Sequence, residues 1–206
     1  MRQLFISFVA VVWLATSMSE ALADNRLSIY AGGSISHLFE DNWVDMKNET
    51  YNWGGGALIG TSYEIGLSRH WSIMPAIEVR YDNNGATNKR QKDKYGYNSC
   101  WMDTWSIQIP VTVNFRLPVS DNVSLRIGAG PYLQEALYSR RFKTGSDVKE
   151  RMHGTFANRF NVGFAGEAAV ETGQHLSYIF QTRYPFLSEG WIRKTLTLSI
   201  GIKYTF

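Results

Sequence analysis

From Thr195 to Phe206 the chain alternates between apolar and polar residues without a break. Leu196, Leu198, Ile200, Ile202, Tyr204 and Phe206 share one face; Thr195, Thr197, Ser199, Gly201, Lys203 and Thr205 share the other. A period of two is the signature of a β-strand, whose successive side chains point to opposite faces. Residues 105–117 repeat the pattern, with Trp105, Ile107, Ile109, Val111, Val113, Phe115 and Leu117 set against Ser106, Gln108, Pro110, Thr112, Asn114 and Arg116. An ordinary strand runs ~5–6 residues, whereas one that crosses a membrane needs ~9–11. Both segments are long enough to cross. The alternation continues, with lapses, near 26–36, 53–67, 71–81, 123–137, 159–171 and 176–186. That makes eight strands, an even number of the kind that closes bacterial single-chain barrels.

The connections alternate in length. Residues 68–70, 118–122 and 172–175 are tight and rich in turn formers. Those near 37–52, 82–103 and 138–158 are long, and the last, near 187–193, is shorter. The layout predicts an all-β fold: an eight-stranded, antiparallel, up-and-down transmembrane β-barrel. Its short turns are periplasmic, its long loops extracellular, and both ends of the barrel lie on the periplasmic side. Pro75, Pro110, Pro131 and Pro185 fall inside predicted strands. A closed barrel has no edge on which to place a residue lacking an N–H, so bulges or local breaks are expected there. Gly54-Gly55-Gly56 and Gly128-Ala129-Gly130 suit bends and crowded lumen positions.

The first twenty-three residues follow a different pattern. Arg2 supplies a positive start, Leu4 to Ala15 is apolar apart from Ser7, and Ala21-Leu22-Ala23 precedes Asp24. This predicts a secretory signal peptide over 1–23, cleaved between Ala23 and Asp24, with 24–206 as the barrel domain. Composition then narrows the classes. With 44% hydrophobic residues and a net charge of +3, the chain is not of a disordered type. Cys100 is the single cysteine, which excludes an internal disulfide or a Cys-rich zinc site. Beyond residue 23 no run approaches the ~18 apolar residues of a spanning helix, in keeping with a mean hydropathy of −0.23.

If the apolar faces meet lipid, the inward positions include Glu64, Glu78, Arg80, Arg116, Arg126, Glu167, Glu171, Arg183 and Lys203. An eight-stranded barrel is just wide enough inside for side chains, and unpaired charge there is costly. Four acids and five bases are close to balance, so these residues are predicted to form a lumen charge network. Counting from the turns puts Glu64, Arg116, Arg126, Glu171 and Lys203 near the periplasmic end. Glu78, Arg80 and Arg183 fall near the loops, with Glu167 between. The outward aromatics also sort by height, into a low set (Tyr63, Trp71, Phe115, Tyr178, Tyr204, Phe206) and a high set (Trp53, Tyr81, Trp105, Phe160, Tyr184, Phe186). Two such girdles are expected at the two membrane interfaces. The competing reading is a periplasmic barrel or sandwich with its apolar face inward. Strand length, loop asymmetry and the double girdle favour the membrane.

Particular stretches carry a family resemblance: Ile107-Gln108-Ile109-Pro110-Val111, Gly128-Ala129-Gly130-Pro131-Tyr132, Arg183-Tyr184, and Ile200-Gly201-Ile202-Lys203-Tyr204-Thr205-Phe206. In this order the chain resembles the small eight-stranded outer-membrane β-barrel proteins of Gram-negative bacteria. More narrowly, it is similar to the porin-like outer-membrane barrel family common in the Bacteroidetes. The resemblance implies an integral outer-membrane location. It also implies that the terminal Phe206 resembles the signal read by the outer-membrane barrel assembly machinery. It implies no single activity.

Candidate chemistry is sparse. His175, Ser177 and Glu189 resemble the His-x-Ser…Glu spacing of the lipid A deacylase barrels, but His175 falls in a predicted periplasmic turn and Glu189 at the opposite end. That separates them by ~30 Å at ~3.3 Å per residue, beyond the reach of a proton relay. His37, His70 and His153 are scattered without ligand spacing, so no metal, cofactor or catalytic residue is assigned. The basic residues Lys89, Arg90, Lys92, Lys94, Arg140, Arg141 and Lys143 belong to predicted outer loops. They are either solvated tips or candidate contacts to lipopolysaccharide phosphates or another acidic surface ligand.

The leading expectation is a non-enzymatic barrel with a side-chain-filled lumen and a surface, adhesion or envelope-structural role, acting as a monomer. A narrow porin-like channel for small solutes comes second, and an outer-leaflet lipid-modifying enzyme third. The expected partners are outer-membrane lipids and lipopolysaccharide, the assembly machinery and an unidentified extracellular ligand. Nucleic acid is excluded by location.

Overall fold

The computed structural model describes residues 25–40, 50–87, 99–144, 149–152, 160–188 and 194–206. The predicted signal peptide with its cleavage residues Ala21, Ala23 and Asp24 lies outside the described residues, as do Lys89, Arg90, Lys92, Lys94, His153 and Glu189. The strands are β1 (Arg26–Glu40), β2 (Thr50–Gly66), β3 (Trp71–Thr87), β4 (Ser99–Ser120), β5 (Val123–Thr144), β6 (Lys149–Met152), β7 (Phe160–Thr172), β8 (Leu176–Ser188) and β9 (Lys194–Thr205). Each of β1 to β5 pairs antiparallel with its successor, β7 follows β5 in the wall, and β9 returns to β1. The result is a closed barrel of eight strands. The four-residue β6 pairs with the upper end of β5, from Phe142–Lys149 to Ser139–Met152.

Side chains alternate across the wall as the period of two dictates. Ile200 and Ile127 on the outside are 70% and 66% exposed, while Glu78, Arg80 and Lys203 on the inside are 0% exposed. Apolar residues outward and charges inward are the reverse of a water-soluble barrel, and they match an apolar solvent around the wall.

The strands are longer than the alternation suggests. Residues 82–87, 99–104 and 138–144 extend β3, β4 and β5, where loops are expected from the sequence. Cys100, Arg140, Arg141 and Lys143 therefore belong to strands, not loops. Above the membrane the outer face meets water, so the apolar alternation lapses while the backbone ladder continues. The 22 residues of β4 span roughly 70 Å. At a tilt of ~40° they rise well beyond a hydrophobic band ~25 Å tall, so β4 and β5, with β3 and the upper end of β2 beside them, stand above the membrane as a tall wall. The turn expected over 118–122 is also shorter than expected: β4 runs to Ser120, and the register shifts between Pro118 and Ser120.

The prolines behave differently from one another. At Pro185 the β7–β8 register shifts, as expected of a bulge. Pro131 is in register with Phe164 and the β5–β7 ladder keeps its register there, while on its other side the β4–β5 pairing skips Pro131 and Gly130, a local break as expected. Pairing skips residues beside Pro75 and Pro110 without a register change. The Gly54–Gly56 stretch coincides with a register shift between β2 and β3.

Candidate functional site

The side chains that β-alternation turns inward meet in two tiers. The lower tier centres on Arg126, which reaches Glu167 Oε1 at 2.8 Å, Glu171 Oε1 at 3.1 Å and Glu64 Oε2 at 3.5 Å. Arg116 closes the ring from β4, with Nη2 at 3.0 Å from Glu64 Oε2 and Nε at 2.8 Å from Glu171 Oε2. Ser72 and Ser124 donate to Glu64 and Glu171 at 2.7 and 2.8 Å. Lys203 donates to Glu167 Oε1 at 2.9 Å, with Met74 Sδ at 3.5 Å and the Tyr30 ring centroid at 5.3 Å.

The upper tier centres on Glu78. Arg183 Nη2 donates to Oε1 at 2.5 Å, Arg80 Nη1 to Oε2 at 3.2 Å, and the Tyr30 hydroxyl to Oε1 at 2.9 Å. Arg80 also donates to Ser199 Oγ at 2.8 Å. The tiers are joined by Gln181, whose Nε2 donates to Glu167 Oε2 at 3.0 Å and to Glu78 Oε1 at 3.4 Å.

All nine inward charges named from the sequence meet within these tiers. A tenth inward charge, Asp82, is not among those predicted from the sequence; it is buried and accepts a hydrogen bond from Ser34 Oγ at 3.5 Å. It shares the parity of Glu78 and Arg80, but it lies where a loop was expected. With it each tier is formally neutral. Glu64, Glu167 and Glu171 oppose Arg116, Arg126 and Lys203 below, and Glu78 and Asp82 oppose Arg80 and Arg183 above. Local neutrality is what a low-dielectric interior requires, because a buried charge without its partner is far more costly than a pair. Large neutral side chains fill the remaining space. Tyr30 lies over its cross-strand partner Gly60, and Tyr132 over its partner Gly163, where an added Cβ would collide with the ring. Glu78, Arg80 and Lys203 expose no surface.

Outside, the aromatic residues pair across strands at two heights. Trp71 and Phe115 approach across strands with centroids at 5.1 Å, and along the end of β9 Tyr204 meets Phe206 edge-on at 5.3 Å. Near the loops Tyr81 and Trp105 lie 5.2 Å apart. Trp105 and Phe115 are ten positions apart on β4. At ~3.3 Å per residue and ~40° tilt, that separates the girdles by about the thickness of a barrel's apolar band.

The catalytic candidate is engaged otherwise. The His175 ring shares a hydrogen bond with Thr205 O at 2.8 Å and stacks on Tyr204 at 5.5 Å, while Ser177 is buried in the lumen. His70 in the β2–β3 turn shares a hydrogen bond with Arg116 O at 3.0 Å and lies tilted against Phe115 at 5.9 Å. Among the described residues no group of three or more His, Cys, Asp or Glu could hold a metal ion. Of the basic surface residues, Arg140, Arg141 and Lys143 take register positions opposite Asp103, Met102 and Cys100.

Comparison with known proteins agrees with this geometry. The family described as outer membrane protein beta-barrel domain matches residues 15–187. No curated protein matches the chain significantly. Among solved structures the chain is similar to the outer membrane protein OprG from Pseudomonas aeruginosa, at 10% identity and a TM-score of 0.51, covering 90% of this chain and 97% of that one. It is also similar to Neisserial surface protein A, at 13% identity and a TM-score of 0.48, covering 89% of this chain and 100% of that one. Ail, the attachment invasion locus protein of Yersinia pestis, matches at 17% identity and a TM-score of 0.45, with coverage of 89% and 100%. The family match spans most of the chain, and the closed barrel and its apolar outer face agree with it. The chain therefore belongs to the outer membrane protein β-barrel domain family and is an integral protein of the outer membrane.

Proposed function

We propose that this protein is a non-enzymatic barrel with a permanently filled lumen, which serves the envelope or cell surface through the wall it raises above the outer girdle. The observation that carries the reading is the complete burial of Glu78, Arg80 and Lys203 within ion pairs at two heights. A solute would have to break both neutral tiers to pass, and each separation would strand buried charge. Planar-bilayer recording of the purified, folded protein tests this. The expected result is no channel activity above that of heat-unfolded protein. Steady, reproducible conductance steps from wild type would overturn it.

The remaining roles follow from that setting. Residues 1–23 serve as the export signal, removed before Asp24, as the charged start, apolar core and small-x-small ending suggest. Phe206 serves as the assembly signal; its N–H donates to Leu27 O at 2.9 Å and its ring faces outward. Lys89, Arg90, Lys92, Lys94, Arg140, Arg141 and Lys143 contact lipopolysaccharide phosphates or an acidic surface ligand, with the protein acting as a monomer.

A further inference from the structure

Pairing is interrupted along three adjacent seams of the barrel and continuous along others, including β5–β7 from Val123–Thr172 to Glu135–Phe160. From β1 to β2 every residue is paired between Arg26–Glu64 and His37–Trp53. The β1–β9 pairing runs unbroken from Ser28–Thr205 to Leu38–Thr195, and the β8–β9 pairing from Leu176–Tyr204 to Arg183–Thr197. Across the barrel the pairing jumps from Ser62–Ala76 to Ile65–Ile73 between β2 and β3. Similar jumps run from Pro75–Val111 to Glu78–Gln108 between β3 and β4, and from Pro110–Tyr132 to Val113–Ala129 between β4 and β5.

The four strand prolines lie along one line, which follows these gaps from Pro75 to Pro131, crosses the unbroken β5–β7 pairing and ends at the β7–β8 register shift beside Pro185. Pro75 is in register with Val111, the neighbour of Pro110; Pro110 is in register with Tyr132, the neighbour of Pro131. Pro131 is in register with Phe164, whose neighbour Gly163 faces Pro185. The line therefore crosses β3, β4, β5, β7 and β8 at right angles to the strands. On tilted strands such a line climbs obliquely around the barrel.

Each proline withdraws an N–H that lipid cannot replace. Lumen side chains also donate to carbonyls near the line. Thr112 Oγ1 donates to Met74 O at 3.4 Å and Asn114 Nδ2 to Thr112 O at 3.2 Å. Arg183 Nη1 donates to Thr182 O at 3.0 Å and to Gly166 O at 3.3 Å. These contacts hang on side-chain torsions and can follow a moving backbone, which a ladder bond between two strands cannot.

We infer that the proline line is a hinge built into the β3–β4–β5 wall. It lets the part of that wall above the line tilt against the periplasmic part, while the unbroken β8–β9–β1–β2 wall keeps the barrel closed. Where fewer ladder bonds must break, local opening is cheaper and amide hydrogens exchange faster. The test is residue-resolved amide exchange by NMR on wild-type protein in lipid nanodiscs. Ala76, Ile77, Val111 and Thr112 should exchange about tenfold faster than Ala31, Gly33, Ile179 and Ile200. Equal rates in the two walls, within about threefold, would overturn the hinge. Thr112→Val keeps the shape of the side chain and removes its donor. It should raise exchange in β3 and β4 by a further factor of about three and leave β1 and β9 unchanged. An equal rise in both walls, or no change in either, would count against it.

Discussion

Glu167 is the acid whose neutralisation exposes most directly how the lower tier is balanced. Its Oε1 receives Arg126 at 2.8 Å and Lys203 at 2.9 Å, and its Oε2 receives Gln181 at 3.0 Å. In Glu167→Gln, Arg126 still has Glu171 at 3.1 Å and Glu64 at 3.5 Å. Lys203 keeps the Met74 sulfur at 3.5 Å and the Tyr30 ring at 5.3 Å, neither of which carries a full negative charge. The tier passes from neutral to one excess positive charge around a lysine that exposes no surface. Breaking a buried pair by removing one partner costs about 3–5 kcal/mol. The ring contact and the retained amide oxygen offset part of that, so a loss of about 2–4 kcal/mol is expected.

Glu167→Gln/Lys203→Met removes both charges and restores the balance. It should cost ~1 kcal/mol or less relative to wild type, giving a coupling energy of ~2–3 kcal/mol in the double-mutant cycle. Urea titration in lipid vesicles, followed by tryptophan fluorescence and by gel mobility without boiling, measures all four proteins. Glu167→Gln within ~0.5 kcal/mol of wild type, or a double variant that loses the sum of the two singles, would refute this charge balance.

Three further outcomes follow from the packing. Gly163→Ala drives a methyl group into the Tyr132 ring and the Tyr184 carbonyl, and should lower stability by about 1–3 kcal/mol, partly recovered by Tyr132→Leu in the same urea titration. His175→Ala removes the bond to Thr205 O and the stack on Tyr204, at a cost of about 1–2 kcal/mol; His70→Ala, which shares no partner with it, should add to that loss rather than couple with it. Cys100 sits near the start of β4 in the tall wall, so an impermeant thiol reagent should label it on intact cells; labelling only after lysis would reverse the assigned sidedness.

Strands are legible in this sequence wherever the bilayer acts on it. Lipid demands an apolar residue at every second position, so 105–117 and 195–206 read as strands and lie within β4 and β9. The same demand sets parity, and parity picks out the charges that turn inward. Above the outer girdle the demand ends. Asp82 and Asn84 are buried there in register with Thr104 and Met102, yet nothing in the local pattern marks a strand, because backbone pairing alone leaves no composition signal. Asp82 escapes the sequence reading for that reason.

Partnership is a tertiary matter throughout. Arg116 meets Glu64 and Glu171, Gln181 bridges Glu78 and Glu167, and Tyr30 covers Gly60, all between different strands. The line of prolines exists only once the registers bring Pro75, Pro110, Pro131 and Pro185 side by side. Alternation is local, since it is the response of each residue to the solvent on its own side of the wall. Pairing is not, because closing eight strands fixes which side chains share the narrow interior and which backbone positions face each other.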